Sequence, residues 1–300
     1  MSWGLISEMG HVSIQTTDVE GSLFDATHLL GLQETERTGE AVYLSSNDRH
    51  HELVYVDSAV NGVDSLGFVA RDSAALRTIR QRVIDEGLTI ISDTPLSTGV
   101  TEGFAFLGPE GWVFEIYIGM QRRENSLLSF GPDRYGHFNF HPKNARAMME
   151  FLRRVLDFRL SDVIGEDFAY FMRCNSDHHG IALIQGQGIL HHHAWQTQSV
   201  ADLAKLGDRL NRAGRELIWG PVRHGAGHNI AAYYVEASGA VVELYTDLEQ
   251  IYDDNREPVI WGAEDNWWNM WAHRRPADFR SFGIGPVTTP RSSRAHLLVN

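Results

Sequence analysis

Two rhythms alternate along the chain. Segments such as HVSIQT (residues 11–16) and HFNFHP (residues 137–142) alternate apolar and polar positions, the period of a half-buried strand. Between such segments lie helical patterns. Met148, Phe151, Leu152 and Val155 fall at i, i+3, i+4 and i+7 of one run, which predicts an amphipathic helix. Gly62, Gly108-Pro109, Gly131-Pro132 and Gly220-Pro221 punctuate the pattern. The predicted order is strand, helix, three strands, and then the same again.

That order recurs on a larger scale. Shifting the chain by 126 to 128 residues lays Gly10-His11 on Gly136-His137 and His50-His51 on His178-His179. The run SAALRTIRQRVIDEG falls on VADLAKLGDRLNRAG, and GPEGWVFEIYI falls on EASGAVVELYT, so that Glu115 meets Glu243. Matches held at nearly one offset indicate an internal duplication. The expected organisation is a first domain over residues 1–122, a second over 133–247, and a tail over 248–300. The segment GMQRRENSLLSFGPDR links the two domains. The tail has no counterpart in the first half. It carries Trp261, Trp267, Trp268 and Trp271, half of the chain's 8 tryptophans, which predicts that it packs against something.

Composition narrows the function classes. A chain of 300 residues with 43% hydrophobic and 22% charged residues has ordinary globular composition, not that of a disordered chain. No apolar run is long enough for a membrane span, and the first residues lack the basic-then-apolar pattern of a signal peptide. A net charge of −13 argues against a nucleic-acid partner. Cys174 stands alone, which excludes an internal disulfide and fits a cytoplasmic protein. The 15 histidines are unevenly placed: 11 lie at or after position 137.

Three of the second-half residues suit a metal. His137, His192 and Glu243 each fall on a predicted strand. Two imidazoles and a carboxylate on one face would leave positions open on an octahedral Fe(II), room for a bidentate ligand and O2 together. The same residues also read as ordinary strand positions. The first-half equivalents are His11, Ser65 and Glu115, a triad broken by a serine. A second set comprises His179, His224 and Tyr233, opposite His51, Leu96 and Ala105. Histidine suits proton transfer near neutral pH, and a tyrosine hydroxyl can exchange hydrogen bonds with a phenolic oxygen. Both sets are complete only in the second half.

The elements GHFNF, DHHGIAL, LHHHAW, GPVRHGAGHN, YYVEASG and VVELYTD, in that order, resemble those of the type I extradiol ring-cleaving dioxygenases of the vicinal oxygen chelate superfamily. The resemblance spans roughly residues 5–250. It implies an α+β fold of two tandem domains, each a pair of βαβββ modules around a funnel. It implies Fe(II), or Mn(II), on His137, His192 and Glu243, with His179 as an acid/base. His224 and Tyr233 would hydrogen-bond the oxygens of a catecholic substrate cleaved with O2. Homo-oligomers are common in the family.

Composition leaves the ligand among His191, His192 and His193 open. The family motif selects His192, and simple alternation would put His191 and His193 on the opposite face. Phe171, Trp195 and Ile230 are expected on the funnel wall. Arg223, Arg274, Arg275 and Arg280 are candidates to receive a ring carboxylate. The tail would cover the mouth as a lid. An isomerase or lyase of the same superfamily, or a small-molecule binding protein of the same fold, are the alternatives.

Overall fold

The computed structural model describes residues 4–124, 130–262, 264–272 and 274–290. Residues 125–129 of the expected linker and residues 263, 273 and 291–300 of the tail lie outside the described residues.

The expected module appears four times. The first holds β1 (Ile6–Thr16), α1 (Val19–Phe24), β2 (Gln33–Arg37), β3 (Ala41–Ser45) and β4 (Leu53–Asp57). The second holds β5 (Gly62–Ala70), α2 (Ser73–Asp85), β6 (Thr89–Ser92), β7 (Val100–Leu107) and β8 (Val113–Met120). The third holds β9 (Arg134–His141), α3 (Ala145–Leu156), β10 (Arg159–Ile164), β11 (Ala169–Arg173) and β12 (Ile181–Ile184). The fourth holds β13 (Ile189–Gln196), α4 (Val200–Arg212), β14 (Trp219–Arg223), β15 (Ile230–Val235) and β16 (Val241–Thr246).

Modules one and two share an eight-stranded sheet, ordered β2-β3-β4-β1-β5-β8-β7-β6. Modules three and four share a second sheet, in the order β14-β15-β16-β13-β9-β12-β11-β10. A short tail strand, β17 (Val259–Trp261), extends it by pairing parallel to β10. In each sheet the first strands of the two modules meet antiparallel at the centre, β1 against β5 and β9 against β13.

Local chemistry explains the helices. Asp72 and Asn144 cap α2 and α3 by accepting from Ala75 N and Ala147 N, which satisfies an otherwise unpaired N–H. Met148, Phe151, Leu152 and Val155 of α3 are buried, as the spacing predicts. The run after Asp18 departs from a plain helix. It is α-helical only to Phe24 and continues as a π-helix over Asp25–Leu30. Asp25 sits buried at that junction. Its carboxylate accepts from Arg215 Nη1 (2.8 Å) and from Ala237 N (2.7 Å). A side chain fastened across the halves thus coincides with the widened turn.

The halves share one hydrophobic core. Phe68 packs on Phe138 with ring centroids 5.6 Å apart, and Trp112 on Phe140 at 5.0 Å. A buried polar network also crosses between them. Glu236 accepts from Tyr55 of the first half (2.5 Å) and from Ser238 (2.5 Å), with His193 Nε2 at 3.7 Å. Trp195 Nε1 in turn donates to His193 Nδ1 at 2.9 Å. This accounts for the histidine at position 193, where the family motif has an apolar residue.

Replacing Tyr55 by phenylalanine would remove one donor from the buried Glu236 carboxyl. We expect a loss of about 1–3 kcal/mol of stability, measured by urea unfolding. An unchanged midpoint would show that the network does not join the halves energetically.

Candidate active site

The central strands carry the predicted triad to one point. His137 lies on β9, His192 on β13 and Glu243 on β16. Ala194 pairs with both His137 and Glu243, so the strands stand side by side in matched register. His137 Nε2 lies 3.1 Å and His192 Nε2 2.8 Å from Glu243 Oε2. The donor atoms of all three residues fall within 4.8 Å of one another, and all three residues are buried. Asn229 Nδ2 donates to the other Glu243 oxygen at 3.0 Å, which fixes the carboxylate plane.

Simple alternation misplaces His191. The pairing of β13 with β9 jumps between Leu190–Phe140 and His192–Asn139, leaving His191 as the extra residue of a β-bulge. The bulge brings His191 to the same side as His192, where both line the cavity and their Nδ1 atoms lie 2.8 Å apart. His193 keeps the opposite face. Trp195 and Ile230 are also misplaced by the funnel-wall reading. Each lies three positions along its strand from a cavity-facing residue, His192 and Tyr233, and therefore packs in the core. Phe171 does line the cavity, as expected.

The three triad residues open onto one cavity of about 60 Å³. His179, His224 and Tyr233 all reach its wall. The His179 ring stands 4.5 Å from that of His137, and its Nδ1 lies 3.0 Å from Nδ1 of His178. His178 Nε2 is 3.0 Å from Asp162 Oδ1, and Trp261 of the tail donates to Asp162 Oδ2 at 2.7 Å. His224 Nδ1 donates to the Trp268 carbonyl at 2.7 Å. Its Nε2 is then the acceptor for the Tyr233 hydroxyl at 2.6 Å.

The tail forms part of the wall through Trp267, Trp268, Arg275, Phe279 and Arg280. Of the four candidate arginines, Arg275 and Arg280 face the cavity, and neither forms an ion pair among the described residues. Arg280 donates to the Gln185 carbonyl at 2.6 Å, while its Nε is buried without an acceptor. Arg223 is committed elsewhere, to Asp247 and the His228 carbonyl. Arg274 is exposed. Asn229, His191 and the His178–Asp162 pair were not singled out from sequence. Asn229 ends the GPVRHGAGHN element, so its position carried a signal, whereas the bulge at His191 carried none.

Burial shapes the electrostatics. It pushes the Glu243 carboxyl up, but His137 and His192 outweigh it and hold the group well below the usual carboxylate range. Burial pushes His192 down to about 4, against the pull of Glu243. It also lowers His224, and it lowers His179 well below its ordinary value, helped by His137 and His178. No arginine or lysine pairs with Glu243 among the described residues. A buried carboxylate with no permanently charged cation beside it lacks a fixed counter-charge, and a divalent ion supplies one. The donor set therefore fits a metal of the kind held by two histidines and one carboxylate.

The first half repeats the frame without the chemistry. His11 Nε2 lies 3.1 Å from Glu115 Oε2, as His137 does from Glu243. Ser65 pairs with Ser13, the register position of His192 opposite Asn139. Ala105 pairs with Glu115 as Tyr233 pairs with Glu243. The backbone N–H of Leu96 donates to Glu115 Oε1 at 2.8 Å.

Known proteins resemble the chain in sequence and in fold. Residues 134–244 match the Glyoxalase/Bleomycin resistance protein/Dioxygenase superfamily. The chain is 25% identical to a metapyrocatechase of Pseudomonas sp. (strain CF600), over 85% of this chain and 91% of that protein. It is 27% identical to a biphenyl-2,3-diol 1,2-dioxygenase of Paraburkholderia xenovorans (strain LB400), over 86% and 95%. Among solved structures, the Mn(II)-bound glyoxalase from Novosphingobium aromaticivorans superposes with a TM-score of 0.84 at 26% identity, covering 94% of this chain and 93% of that one. With the matched segment holding the triad and four βαβββ modules around it, residues 134–244 carry a vicinal oxygen chelate domain, and the chain as a whole is similar to extradiol dioxygenases.

Proposed function

We propose that this protein opens a catecholic ring beside its hydroxyl pair, placing both atoms of O2 in the yellow ring-opened product, with Fe(II) as its metal. One observation carries the reading. The triad shares its cavity with His179 and with the His224–Tyr233 pair, whereas the first half keeps His51 opposite His179 but has Ser65, Leu96 and Ala105 at the positions of His192, His224 and Tyr233. A triad alone would serve an isomerase. The added acid/base and the hydroxyl-binding pair suit a diol.

His137, His192 and Glu243 would hold the metal, which supplies adjacent open positions for a diol and dioxygen. The chain's own residues do the rest. His224 Nε2, kept as an acceptor by the Trp268 carbonyl, holds the Tyr233 hydroxyl hydrogen, so the phenol oxygen presents its lone pairs to a substrate hydroxyl. That pair orients the ring and can take its proton. His179, buried and neutral, would accept a proton on the dioxygen side and return it as the ring opens. Phe171, Trp267, Trp268 and Phe279 exclude bulk water, with the tail covering the mouth. Arg275 and Arg280 have no carboxylate partner among the described residues, so a ring carboxylate is the substituent that this wall favours.

The same reading assigns residues 1–122 to a domain without a metal, 133–247 to the catalytic domain, and a cytoplasmic homo-oligomer as the working form. No helix among the described residues is long and apolar enough to cross a membrane.

The test is anaerobic loading with Fe(II), followed by air and a panel of catechols. We expect yellow product with roughly one O2 consumed per catechol, and carboxylated catechols with the higher kcat/KM. His179→Asn should lower kcat at least ~100-fold while metal content is kept. Tight metal binding with no catechol consumed would favour an isomerase, the activity class that the glyoxalase neighbour brings to mind.

Metal content separates the two halves. We expect roughly one divalent ion per chain in the wild type and in Glu115→Gln, and loss of the ion in Glu243→Ala, read by elemental analysis. Loss of the ion in Glu115→Gln would place the site in the wrong half.

A further inference from the structure

A metal-binding imidazole must present a bare nitrogen, and its other nitrogen must then carry the hydrogen. The structure shows what selects that form at His192. His191 Nε2 lies 2.6 Å from the carbonyl oxygen of Phe279. A carbonyl only accepts, so this nitrogen carries a hydrogen. The ring is buried, packed on Phe279 and stacked on His141 with centroids 4.7 Å apart, an environment for a neutral imidazole. A neutral ring protonated at Nε2 has a bare Nδ1. That atom stands 2.8 Å from His192 Nδ1. The hydrogen between them therefore belongs to His192 Nδ1, and His192 Nε2, 2.8 Å from Glu243 Oε2, is the nitrogen turned to the metal position.

We propose that His191 is a positioning residue that holds His192 in its metal-binding tautomer, and that the anchor of this relay is the tail backbone at Phe279. The inference rests on the proposed metal role of His192. The wiring itself can be examined without any metal.

The surrounding geometry supports it. The bulge exists at the one place in β13 where His191 must turn toward His192. The tail is held beside it by a reciprocal pair of backbone bonds, Leu190 N to Ile284 O at 2.8 Å and Ile284 N to Leu190 O at 3.0 Å. The same kind of pair recurs at His178–His179, where the outer ring is anchored on Asp162. In the first half, His50–His51 repeats it with Glu36 as the anchor. There the bulge residue matching His191 is Asp64, and Ser65 follows it, so no imidazole is available to set.

The experiment uses full-length protein labelled with 15N at histidine. In the metal-free wild type, the His192 resonances, assigned by their loss in His192→Asn, should report hydrogen on Nδ1. His191→Leu removes the acceptor and should shift His192 toward the Nε2–H form. It should also weaken Fe(II) or Zn(II) binding by about 10- to 100-fold, measured by competition with a chelating dye. His191→Gln can accept through its carbonyl and donate through its amide, so it should restore both readouts. His192 found with no hydrogen on Nδ1 in the wild type would overturn the proposal, as would a His191→Leu variant with unchanged Nδ1 protonation and affinity. If His191→Leu fails to fold, a His191→Gln protein that folds and keeps the wild-type tautomer and affinity sustains the relay, and one that folds but loses them sinks it. If the tautomers behave as expected but no catechol is cleaved, the relay stands and the dioxygenase reading falls.

Discussion

The site depends on one carboxylate oxygen deep inside a sheet. Glu243 Oε2 is approached by two imidazole nitrogens from neighbouring strands, with no permanent cation beside it among the described residues. Such a group is costly to bury unless positive charge arrives. Much of the second half can be understood as holding that oxygen still. Matched strand register places the three side chains, Asn229 ties the second oxygen, and the bulge on β13 brings a backing histidine to His192. The aromatic wall keeps the dielectric low, which strengthens every charge interaction inside.

The duplicated half shows how little separates a site from a scaffold. The two copies place His11 and Glu115, and His137 and Glu243, at the same spacing. Three further positions decide the outcome. Ser65 stands at the position of His192, one of the three proposed ligands, and Leu96 and Ala105 stand at the positions of the His224–Tyr233 pair proposed to meet a substrate. Serine is a poor ligand for a divalent ion, and two apolar side chains leave nothing to orient a diol. The fold alone therefore does not specify the activity; the side chains at these register positions do.

The sequence was informative where chemistry repeats and silent where geometry deviates. Module order, the triad and the set of His179, His224 and Tyr233 could be found because two copies could be compared, position by position. Strand alternation correctly put His193 opposite His192. It failed at His191, because a bulge adds a residue without any local mark in composition. It was not carried through for Trp195 and Ile230, whose parity already places them in the core. The π-helical stretch after Phe24 was equally hidden, since the contact that coincides with it, between Asp25 and Arg215, joins residues far apart in sequence. The tail was recognisable as packed from its tryptophans, but its path was not, because it bonds through backbone carbonyls that no side-chain pattern reveals.

Those carbonyls suggest why the tail lies where it does. Covering a cavity requires only apolar side chains, and Trp267 and Phe279 would suffice for that. The tail does something more specific, directing the Trp268 carbonyl at His224 and the Phe279 carbonyl at His191. Each is an acceptor that cannot change its protonation, so each fixes which nitrogen of its imidazole carries hydrogen. Backbone acceptors thus hold two of the site's proton positions constant, while His179 is backed by another imidazole, that of His178. The division matches the proposed reaction, which asks for fixed donors and acceptors in binding and for one group, His179, that moves a proton.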